Sequence, residues 1–599
     1  MQMLSSFINF KRERFSRRIL IWRNKKISEK KFVIFLSLVI GVLSGLAAVL
    51  LKYTVHYTHH FLTKGFEEGF NYNFLIFPFI GILLTVLYIK FFVKDNIGHG
   101  VSRILYALSR NNGRIKPHNN YSSIVASTLT IGFGGSVGVE APIVLTGASI
   151  GSTLGHYFRL NFKSIALLVA CGAAGAIGGI FKAPIAGMIF TLEVLMLDLT
   201  LTSIVPLLIS SVTGATVAYF LMGEGVVLSA VNTQAFELSN IPFYILLGLL
   251  SGLVSFYFTK VTLQIESGLS KNKNIFVKIL IGGSVLAGLI FLFPSLYGEG
   301  TQTLQSLLNG NIDGLPKDRI FSFVLQNNWY IIVYLGMLLL LKVVAMAFTN
   351  GSGGVGGIFG PTLFVGGVLG YWLSHLINSL GFVKLPEANF AVVGMAGLMA
   401  GVMHAPLTAI FLIAEITGGY SLFIPLIITS TIAYITILQF TKHSIYTQRL
   451  AEKGDLLTHH KDEVVLTLMK LDSVIEKDFV TVGIDDSLGQ LIEDVSKSKR
   501  NIFPVLNNEK ELVGIVLLDN IRGVMFQREK YDDTFVSDVM ITPPEIVDVA
   551  DSMDCVMKKF NSSGAWNLPV MKDGKYVGFV SKSKIFNTYR DLLVQVSEY

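Results

Sequence analysis

Cysteine is almost absent from this sequence, which has 599 residues and two cysteines. Cys171 lies in an apolar segment and Cys555 in a polar C-terminal region, and neither has a neighbouring Cys or His at the spacing of a metal site. We therefore expect no disulfide and no bound metal. The sequence also shows no nucleophile paired with a base, so it does not suggest an enzyme.

Charge is also scarce. Only 15% of the residues are charged and 51% are hydrophobic, whereas about a quarter of the residues of a soluble protein are charged. Apolar stretches recur, and several reach the length that crosses a bilayer: Phe32–Leu51, Phe74–Ile89, Ser203–Leu221, Phe243–Phe258, Ile275–Phe293 and Ile331–Phe348. This composition excludes a soluble globular protein and predicts an α-helical membrane protein with many crossings.

The first 31 residues form a basic tail. Ten of them are Lys or Arg, against Glu13 and Glu29, and no small-residue cleavage site follows the first apolar stretch. Positive residues favour the cytoplasmic side, so we expect a cytoplasmic N-terminus. Because much of the net charge of +8 sits in this tail, we expect anionic lipid headgroups as its partner and not nucleic acid.

One acidic residue interrupts an uncharged, glycine-rich region. Glu140 stands in the segment Gly138-Val139-Glu140-Ala141-Pro142. A carboxylate at bilayer depth is costly, and for that reason it indicates a functional site. The glycines and the proline predict broken helices, which a membrane tolerates where they line a cavity or pack inside the protein. A helix N-terminus that faces an anion, with a titratable carboxylate beside it, would form an anion gate.

The apolar region contains an internal repeat. Residues 172–194 (GAAGAIGGIFKAPIAGMIFTLEV) align with residues 394–416 (GMAGLMAGVMHAPLTAIFLIAEI) at a constant offset of 222. Residues 138–142 align with Gly357-Ile358-Phe359-Gly360-Pro361 at an offset of 219. The sequence thus predicts two homologous halves, about 70–230 and 300–445. Such repeats, expected to be inverted, commonly build transporters whose site lies at the bilayer midplane between discontinuous helices.

Together these segments resemble the CLC family of chloride channels and anion/proton exchangers, over nearly all of the chain. The first anion-path segment of that family, usually GSGIP, corresponds to Gly98-His99-Gly100-Val101-Ser102. The second, usually GKEGP or GREGP, corresponds to residues 138–142, and the third, GxFxP, to residues 357–361. The pore tyrosine of the family corresponds to Tyr446.

The resemblance implies how an anion would be bound. The amides of Ile358 and Phe359 and the hydroxyl of Tyr446 would coordinate it, although Tyr446 could instead be an interfacial aromatic residue. The segment with His99 and Gly100 would close the inner side. Helix N-termini suit this task because they bind an anion without a full positive charge. The family also implies a homodimer with one pore in each subunit.

By the same resemblance Glu140 would be the gate. Its ionised carboxylate would compete with the anion, and its protonated form would swing away; a carboxylate that merely caps a neighbouring helix is the alternative. Family exchangers carry a second, proton-relaying glutamate where this chain has Val194, and family channels also carry valine there. Val194 therefore favours passive chloride conduction, and chloride/proton antiport without that glutamate is the alternative.

The first segment departs from the family pattern twice, with His99 in place of serine and Ser102 in place of proline. An imidazole can donate a hydrogen bond and, once protonated, can strengthen anion binding. The preference for chloride over other anions therefore stays open, and so does a histidine whose side chain points away from the path.

Two residue pairs occupy equivalent places in the halves. Glu193 and Glu415 are expected to form structural hydrogen bonds to backbone, in preference to transport chemistry. Lys182 and His404 each precede Ala-Pro, and we expect both near helix ends at an aqueous vestibule.

The C-terminal region has a different composition. Residues 459–599 hold 23 of the 41 acidic residues and alternate short β-like runs with amphipathic helices. The run from Asn501 to Val516 resembles the run from Asn567 to Val580, about 64 residues later. This looks like a tandem pair of CBS domains, each a small α/β unit.

Such pairs often bind adenine nucleotides, with an acidic residue on the ribose six positions after the glycine. Here those positions hold Asn520 and Lys584, and Asp519 is one residue earlier. Asp519 could substitute for the usual acid, and Lys584 could meet a phosphate. A structural or dimer-stabilising role without a nucleotide is the favoured alternative, so an adenine nucleotide is the one cofactor that the sequence leaves open.

The sequence therefore predicts five regions: a basic tail at 1–31, a transmembrane anion-transport domain at 32–450, a linker at 451–469, and CBS domains at 470–530 and 536–594. We expect both termini in the cytoplasm and the protein in a bacterial inner membrane. A CBS-regulated divalent-cation transporter is the alternative of another class. It would need clustered acidic residues in the membrane, and Glu140, Glu193 and Glu415 are too few and too scattered.

Overall fold

The computed structural model describes residues 28–63, 73–95, 97–98, 100–195, 201–225, 228, 233–310, 328–451, 469, 471–507 and 509–597. The chain divides into two compact units, residues 1–456 and 457–599. Nearly all of the predicted basic tail and of the predicted linker lies outside the described residues, and so does His99.

The first unit is built from helices. Its first half contains α1 to α8, in order Glu29–Thr63, Asn73–Tyr88, Gly100–Arg110, Asn119–Gly132, Glu140–Tyr157, Phe162–Phe181, Pro184–Glu193 and Leu201–Met222. Its second half contains α9 to α16, in order Ile241–Ser270, Ile275–Leu292, Thr301–Leu308, Asn328–Gly351, Phe359–Ser379, Glu387–Met403, Pro406–Ile416 and Phe423–Leu438. A final helix, α17, covers Ile445–Ala451.

Seven of these helical stretches are long and apolar enough to cross a membrane: α1, α2 with the π-helical turn after it, α6, α8, α9, α10 and α12. Of the shorter apolar helices, α7 lies between α6 and α8, and α14, α15 and α16 follow α12. This combination of long and short helices confirms the predicted class, a polytopic membrane protein with broken helices.

The repeat extends further than the sequence predicted. In each half the first helix packs against the sixth and the eighth, and the fifth packs against the sixth. The repeated order begins at Glu29 and Ile241, whereas the predicted halves began near residues 70 and 300. The first two helices of each half are plain apolar helices, which carry no aligned motif for a sequence comparison to find.

The two halves run in opposite directions. α1 begins beside the end of α5, where the rings of Phe32 and Phe158 lie 5.0 Å apart. α9 instead ends on that side, because its last residue, Ser270, lines a cavity together with Asp95. Asp95 binds the ammonium group of Lys116 at 3.1 Å, and the carbonyl of Lys116 accepts a hydrogen bond from the C-terminal half of α5. The repeat is therefore inverted.

Each half contains the same abrupt junction between two helices. Lys182 ends α6 and His404 ends α14, both in the left-handed region with φ of 53° and 55°, and an Ala-Pro pair then starts the next helix. A left-handed residue stops a helix, and proline suits the first turn of the following one. The expected position at helix ends is confirmed. The Lys182 ammonium group is buried and donates to the carbonyls of Gly223 (2.7 Å) and Gly225 (2.8 Å).

Glycines bring α5 and α6 into direct backbone contact. A Cβ on Gly172 would lie 1.9 Å from the carbonyl oxygen of Gly147, and a Cβ on Gly147 would lie 2.1 Å from that of Gly172. The equivalent pair in α13 and α14, Gly366 and Gly394, is nearly as close, with 2.5 and 2.3 Å. Small residues at such crossings let membrane helices pack backbone to backbone.

We expect Gly172→Ala to destabilise the first unit by about 1–3 kcal/mol, the usual cost of overpacking a tight core. Thermal unfolding in detergent, followed by tryptophan fluorescence, measures the change. Gly288→Ala is the matched control, because Gly288 is also helical and a Cβ there would meet no atom within 4 Å. Equal melting temperatures for the two variants would contradict the close crossing.

The second unit contains two small sheets. β2 (Val482–Gly483), β3 (Ile502–Leu506) and β4 (Leu512–Leu517) form one sheet. β5 (Val547–Asp548), β6 (Asn567–Lys572) and β7 (Lys575–Ser581) form the other, which β1 (Ile475–Glu476) extends beside β7. The helices are α18 to α22, in order Leu488–Lys497, Leu518–Ile521, Val536–Val539, Met553–Ser563 and Lys582–Ser597.

The two sheets repeat each other in register. In both, a parallel strand pair is followed by an antiparallel one, with a β-bulge after Val505 in the first and after Val570 in the second. Val505 pairs with Gly514, and Val570 pairs with Gly578. The tandem α/β units predicted from the sequence are therefore present.

Candidate anion-binding site

Two hydrogen bonds between glycines join the halves at the start of α5 and α13. The amide of Gly138 donates to the carbonyl of Gly357 (2.9 Å), and the amide of Gly357 donates to the carbonyl of Gly138 (2.7 Å). These glycines are equivalent in the repeat, so the contact places the N-termini of α5 and α13 side by side. The positive end of each helix dipole then points into the same small volume.

The carboxylate of Glu140 lies in that volume. Its Oε1 accepts hydrogen bonds from the amides of Phe359 (2.5 Å) and Gly360 (3.1 Å), the first residues of α13. The side chain is buried, with 3% of its surface exposed. Glycine is required on both sides, because a Cβ on Gly138 or Gly357 would lie about 2 Å from a carboxylate oxygen. The carboxylate thus occupies a ready-made anion site at a helix N-terminus.

The amides that bind Glu140 overlap with the pair that the resemblance implies for an anion. That pair, Ile358 and Phe359, stays a prediction, whereas the carboxylate binds Phe359 and Gly360. Ile358 is buried as the N-cap of α13, and its carbonyl accepts from Thr362. Since Pro361 has no amide proton, Phe359 and Gly360 supply the free donors of the first turn. Gly360 could have been predicted from that rule.

The second oxygen of the carboxylate is not satisfied. Among the residues that the structure describes, none gives a hydrogen bond to Glu140 Oε2, which is buried. An unpaired buried oxygen on an ion costs about 1–3 kcal/mol or more. That cost is removed if Oε2 carries a proton and points elsewhere, or if an anion replaces the carboxylate.

The first predicted segment packs directly against the second. A Cβ on Gly100, the first residue of α3, would lie 2.4 Å from the carbonyl oxygen of Ala141. Ser102 is buried and donates a hydrogen bond from Oγ to the carbonyl of Tyr446 (2.9 Å). The residue that replaces the usual proline therefore ties α3 to α17.

Tyr446 is held inside the protein by that bond. The residue is 4% exposed, and among the described residues none makes a hydrogen bond to its hydroxyl group. Glu140 is close enough for its charge to act on that hydroxyl. The structure therefore brings Glu140, Phe359, Gly100 and Tyr446 together around one small volume.

Glu193 and Glu415 each cap the start of a helix in the other half of the repeat. Glu193 accepts from the amides of Leu407 (3.1 Å) and Thr408 (2.7 Å) at the start of α15, and also from the Thr408 hydroxyl group. Glu415 accepts from Ile185 (3.1 Å) and Ala186 (2.8 Å) at the start of α7. The expected hydrogen bonds to backbone are confirmed.

Val194 lies at the end of α7, directly after Glu193. It is 5% exposed and its amide donates to the carbonyl of Phe190. Its apolar side chain can neither take up nor release a proton, and both oxygens of Glu193 are bound to the start of α15.

A cavity of about 740 Å³ opens beside the site on the side where α1 begins. Three lysines line it, Lys90, Lys94 and Lys278, together with the carboxylates Asp95 and Glu266. The cavity reaches Gly100 and Pro142, and it also reaches residues 353–356, which lead to α13. Clefts rich in one sign of charge concentrate ions of the opposite sign, so the cavity is suited to collect anions at the site.

Asp95 fixes the mouth of this cavity. Its carboxylate binds Arg103 (3.1 Å), Lys116 (3.1 Å) and His118 (3.0 Å). Burial opposes its ionisation, but the hydrogen bonds from Lys116, His118 and Arg103 outweigh burial and hold the pKa of Asp95 well below its usual range. Asp95 therefore stays ionised and anchors the segment before α3.

We expect Asp95→Asn to lower the stability of the protein at pH 7 by about 1–3 kcal/mol, the range for hydrogen bonds to charged groups. The pKa is lowered on folding, so this contribution is present above the unfolded value of about 3.9 and is lost only in stronger acid. The titration of Asp95 should therefore leave the difference constant from pH 5 to 8. Thermal unfolding in detergent measures the difference in stability between the parent and Asp95→Asn, and Glu237→Gln, at an exposed site, is the control. Equal stability of the parent and Asp95→Asn at pH 7 would contradict the anchoring role of Asp95.

The candidate nucleotide residues lie on two helices of the second unit, α19 and α22. Asp519 on α19 pairs with Arg522 at 2.6 Å, and both side chains are exposed. Asn520 lies 3.5 Å from the carbonyl of Val539. Lys584 on α22 is held through its amide by Ser581. An exposed ion pair is worth at most about 1 kcal/mol, so Asp519 is free to exchange Arg522 for a ligand.

Nucleotide binding at these residues stays a prediction. If Asp519 and Lys584 bind ribose and phosphate, ATP should raise the melting temperature of the protein. At an ATP concentration of 100 times the dissociation constant, the folded state should be stabilised by about 2.7 kcal/mol. Asp519→Asn and Lys584→Met should each reduce the shift, and Asp573→Asn is the control. An unchanged melting temperature at millimolar ATP would contradict the prediction.

Comparison with known proteins gives consistent matches. Residues 80–437 match the protein-family model described as voltage gated chloride channel, and residues 471–526 and 536–591 each match that of the CBS domain. The H(+)/Cl(-) exchange transporter ClcA of Vibrio cholerae is 30% identical over 446 residues, which cover 70% of this chain and 89% of that protein.

Solved structures agree on the fold. A slow cyanobacterial Cl-/H+ antiporter superposes with a TM-score of 0.61 at 21% identity, over 72% of this chain and 99% of the other. A CLC-type fluoride/proton antiporter superposes with a TM-score of 0.58 at 25% identity, over 70% of this chain and 98% of the other.

Proposed function

Since the chain belongs to the voltage gated chloride channel family, and so is an anion-transport protein of the membrane, we propose that it transports chloride through a site that ionised Glu140 closes. The observation that carries the proposal is the carboxylate of Glu140, bound as an anion would be to the amides of Phe359 and Gly360. A protein anion and a chloride ion cannot both use these amides.

The chemistry of the gate follows from that competition. When Glu140 takes up a proton it loses its charge, and its attraction to the positive end of α13 falls. Chloride, which keeps its charge, then binds the two amides in its place. Backbone amides suit this exchange because they attract an anion without holding it as a lysine would.

The inner side of the site has its own closure. Ser102 on α3 and Tyr446 on α17 are joined by the hydrogen bond between them, and in this proposal they close the site toward the lysine-lined cavity. A separation of α3 from α17 would then admit chloride from that cavity. The carboxylate of Glu140 and the Ser102–Tyr446 contact would thus act on opposite sides of one anion position.

Two observations bear on proton coupling. Val194 is apolar and buried, which favours passive chloride conduction. The relative from Vibrio cholerae is a chloride/proton exchanger, which favours antiport. In both candidates Glu140 is the gate, and in antiport it is also the residue that carries the proton.

Further expectations follow from the family and not from the site. We propose that the protein is a homodimer with one pore in each subunit and with both termini in the cytoplasm of a bacterial cell. Exposed apolar side chains on α8 and α16, such as Val212, Ile427 and Ile435, fit contact with lipid or a second subunit. The family match favours an anion over the divalent-cation alternative.

The test is chloride efflux from proteoliposomes with proton movement recorded at the same time, for the parent and for Glu140→Gln. We expect parent efflux to fall as pH rises, by at most tenfold per pH unit because one group titrates. Glu140→Gln should move chloride at a rate independent of pH and without protons, because its amide is neutral at every pH.

Glu387→Gln is the matched control, because Glu387 is a partly buried carboxylate bound to His375 and Asn378, away from the site. Proton uptake driven by chloride in the parent would establish antiport, and its absence at every pH would establish passive conduction. An efflux that depends on pH equally in the parent and in Glu140→Gln would contradict the gate.

A further inference from the structure

A second carboxylate lies beside the gate. Glu299 is in the turn between α10 and α11, and its Oε1 accepts a hydrogen bond from the amide of Val139 (2.9 Å), the residue before Glu140. Both carboxylates approach the same face of Gly360: Glu299 Oε1 lies 3.6 Å, and Glu140 Oε2 lies 3.8 Å, from the position of a Cβ there. The unpaired oxygen of Glu140 is therefore on the side of Glu299.

A buried lysine fixes the turn that contains Glu299. Lys342 on α12 is fully buried, and its ammonium group donates to the carbonyls of Gly298 (2.8 Å) and Leu296 (3.3 Å). The same group lies 4.9 Å from the ring centre of Phe364. A buried ammonium needs this much bonding to be tolerated, so the position of the turn is well fixed.

Two cations and one amide favour the ionised form of Glu299, against the effect of its burial. Lys52 from α1 and Lys342 from α12 are the cations that act on it, and the amide of Val139 bonds to its carboxylate. Two other titratable groups interact electrostatically with these residues. Tyr446 from α17 interacts with the charge of Glu140, and Lys182 at the end of α6 interacts with the charge of Lys52. Glu140 has no cation of its own among these groups, and Glu299 is the charge that it faces.

We propose that Glu299 is a positioning residue, which holds the start of α5 and sets the pH at which the gate closes. The proposal rests on the proposed function of Glu140. An ionised carboxylate disfavours a second negative charge nearby, so Glu140 keeps its proton to a higher pH than it would alone. The gate then stays open over a wider range of pH. Without the charge of Glu299, Glu140 ionises and closes the site at lower pH.

The test is the pH dependence of chloride efflux from proteoliposomes between pH 4.5 and 8.5, in the full-length protein. We expect Glu299→Gln to move the midpoint of the profile to lower pH by about one unit, the size of shift that a close like charge produces. Glu299→Asp keeps the charge and should retain the parent midpoint. Should Glu299→Gln not fold, Glu299→Ser removes the charge with a smaller side chain and gives the same comparison.

A double variant separates a role through the gate from a merely structural role. In Glu140→Gln the profile should be flat, and Glu299→Gln added to it should leave it flat. Two results would overturn the role of Glu299 and leave the gate intact. One is a midpoint shift by Glu299→Gln that persists when Glu140 is also replaced by Gln. The other is an unchanged midpoint in both Glu299→Gln and Glu299→Ser, together with a flat profile in Glu140→Gln. A parent-like profile in Glu140→Gln would instead overturn the proposed function.

Discussion

The pair of hydrogen bonds between Gly138 and Gly357 is the contact on which the rest of the site depends. It joins equivalent points of two inverted halves, and it can form only without side chains, because a Cβ on either residue would collide with Glu140. With the bonds in place, two helix N-termini share one small volume, and a negative group there is stabilised without any nearby cation. The suitability of this position for an anion is thus a consequence of symmetry and of two glycines.

Buried and half-buried glutamates complete the helix ends that the membrane leaves unsatisfied. In the hydrocarbon region water cannot serve the free amides at a helix start, and here Glu140, Glu193, Glu299 and Glu415 each bind such amides in the opposite half of the repeat. Glu193 and Glu415 use both of their oxygens. Glu140 uses only one and leaves the other buried and unpaired. The unpaired oxygen makes the bound position less favourable for Glu140 than for Glu193 or Glu415. Glu140 is therefore the best suited of these three residues to move.

Much of this arrangement could be predicted from the sequence, because the repeated motifs carry it. The offset between residues 138–142 and 357–361 predicted the homologous halves, and the isolated charge of Glu140 marked the candidate site. Glu299 could not be predicted in the same way. Its contact with Val139 spans 160 residues, and it stands outside the aligned motifs of the repeat. The hydrogen bond from Ser102 to Tyr446 could not be predicted either, because a serine in place of proline does not indicate which group accepts its hydrogen bond.

The reciprocal caps of Glu193 and Glu415 bear on how such a chain could arise. Each half supplies the carboxylate that the other needs, so neither half is complete in isolation. Before gene duplication and fusion, one glutamate in a short ancestral chain could have served both places, across the interface of two antiparallel copies. A single substitution would then have removed both caps at once. Fusion made the two positions separately mutable, and it allowed one half to supply the Glu140 carboxylate while the other kept the amides that this carboxylate binds.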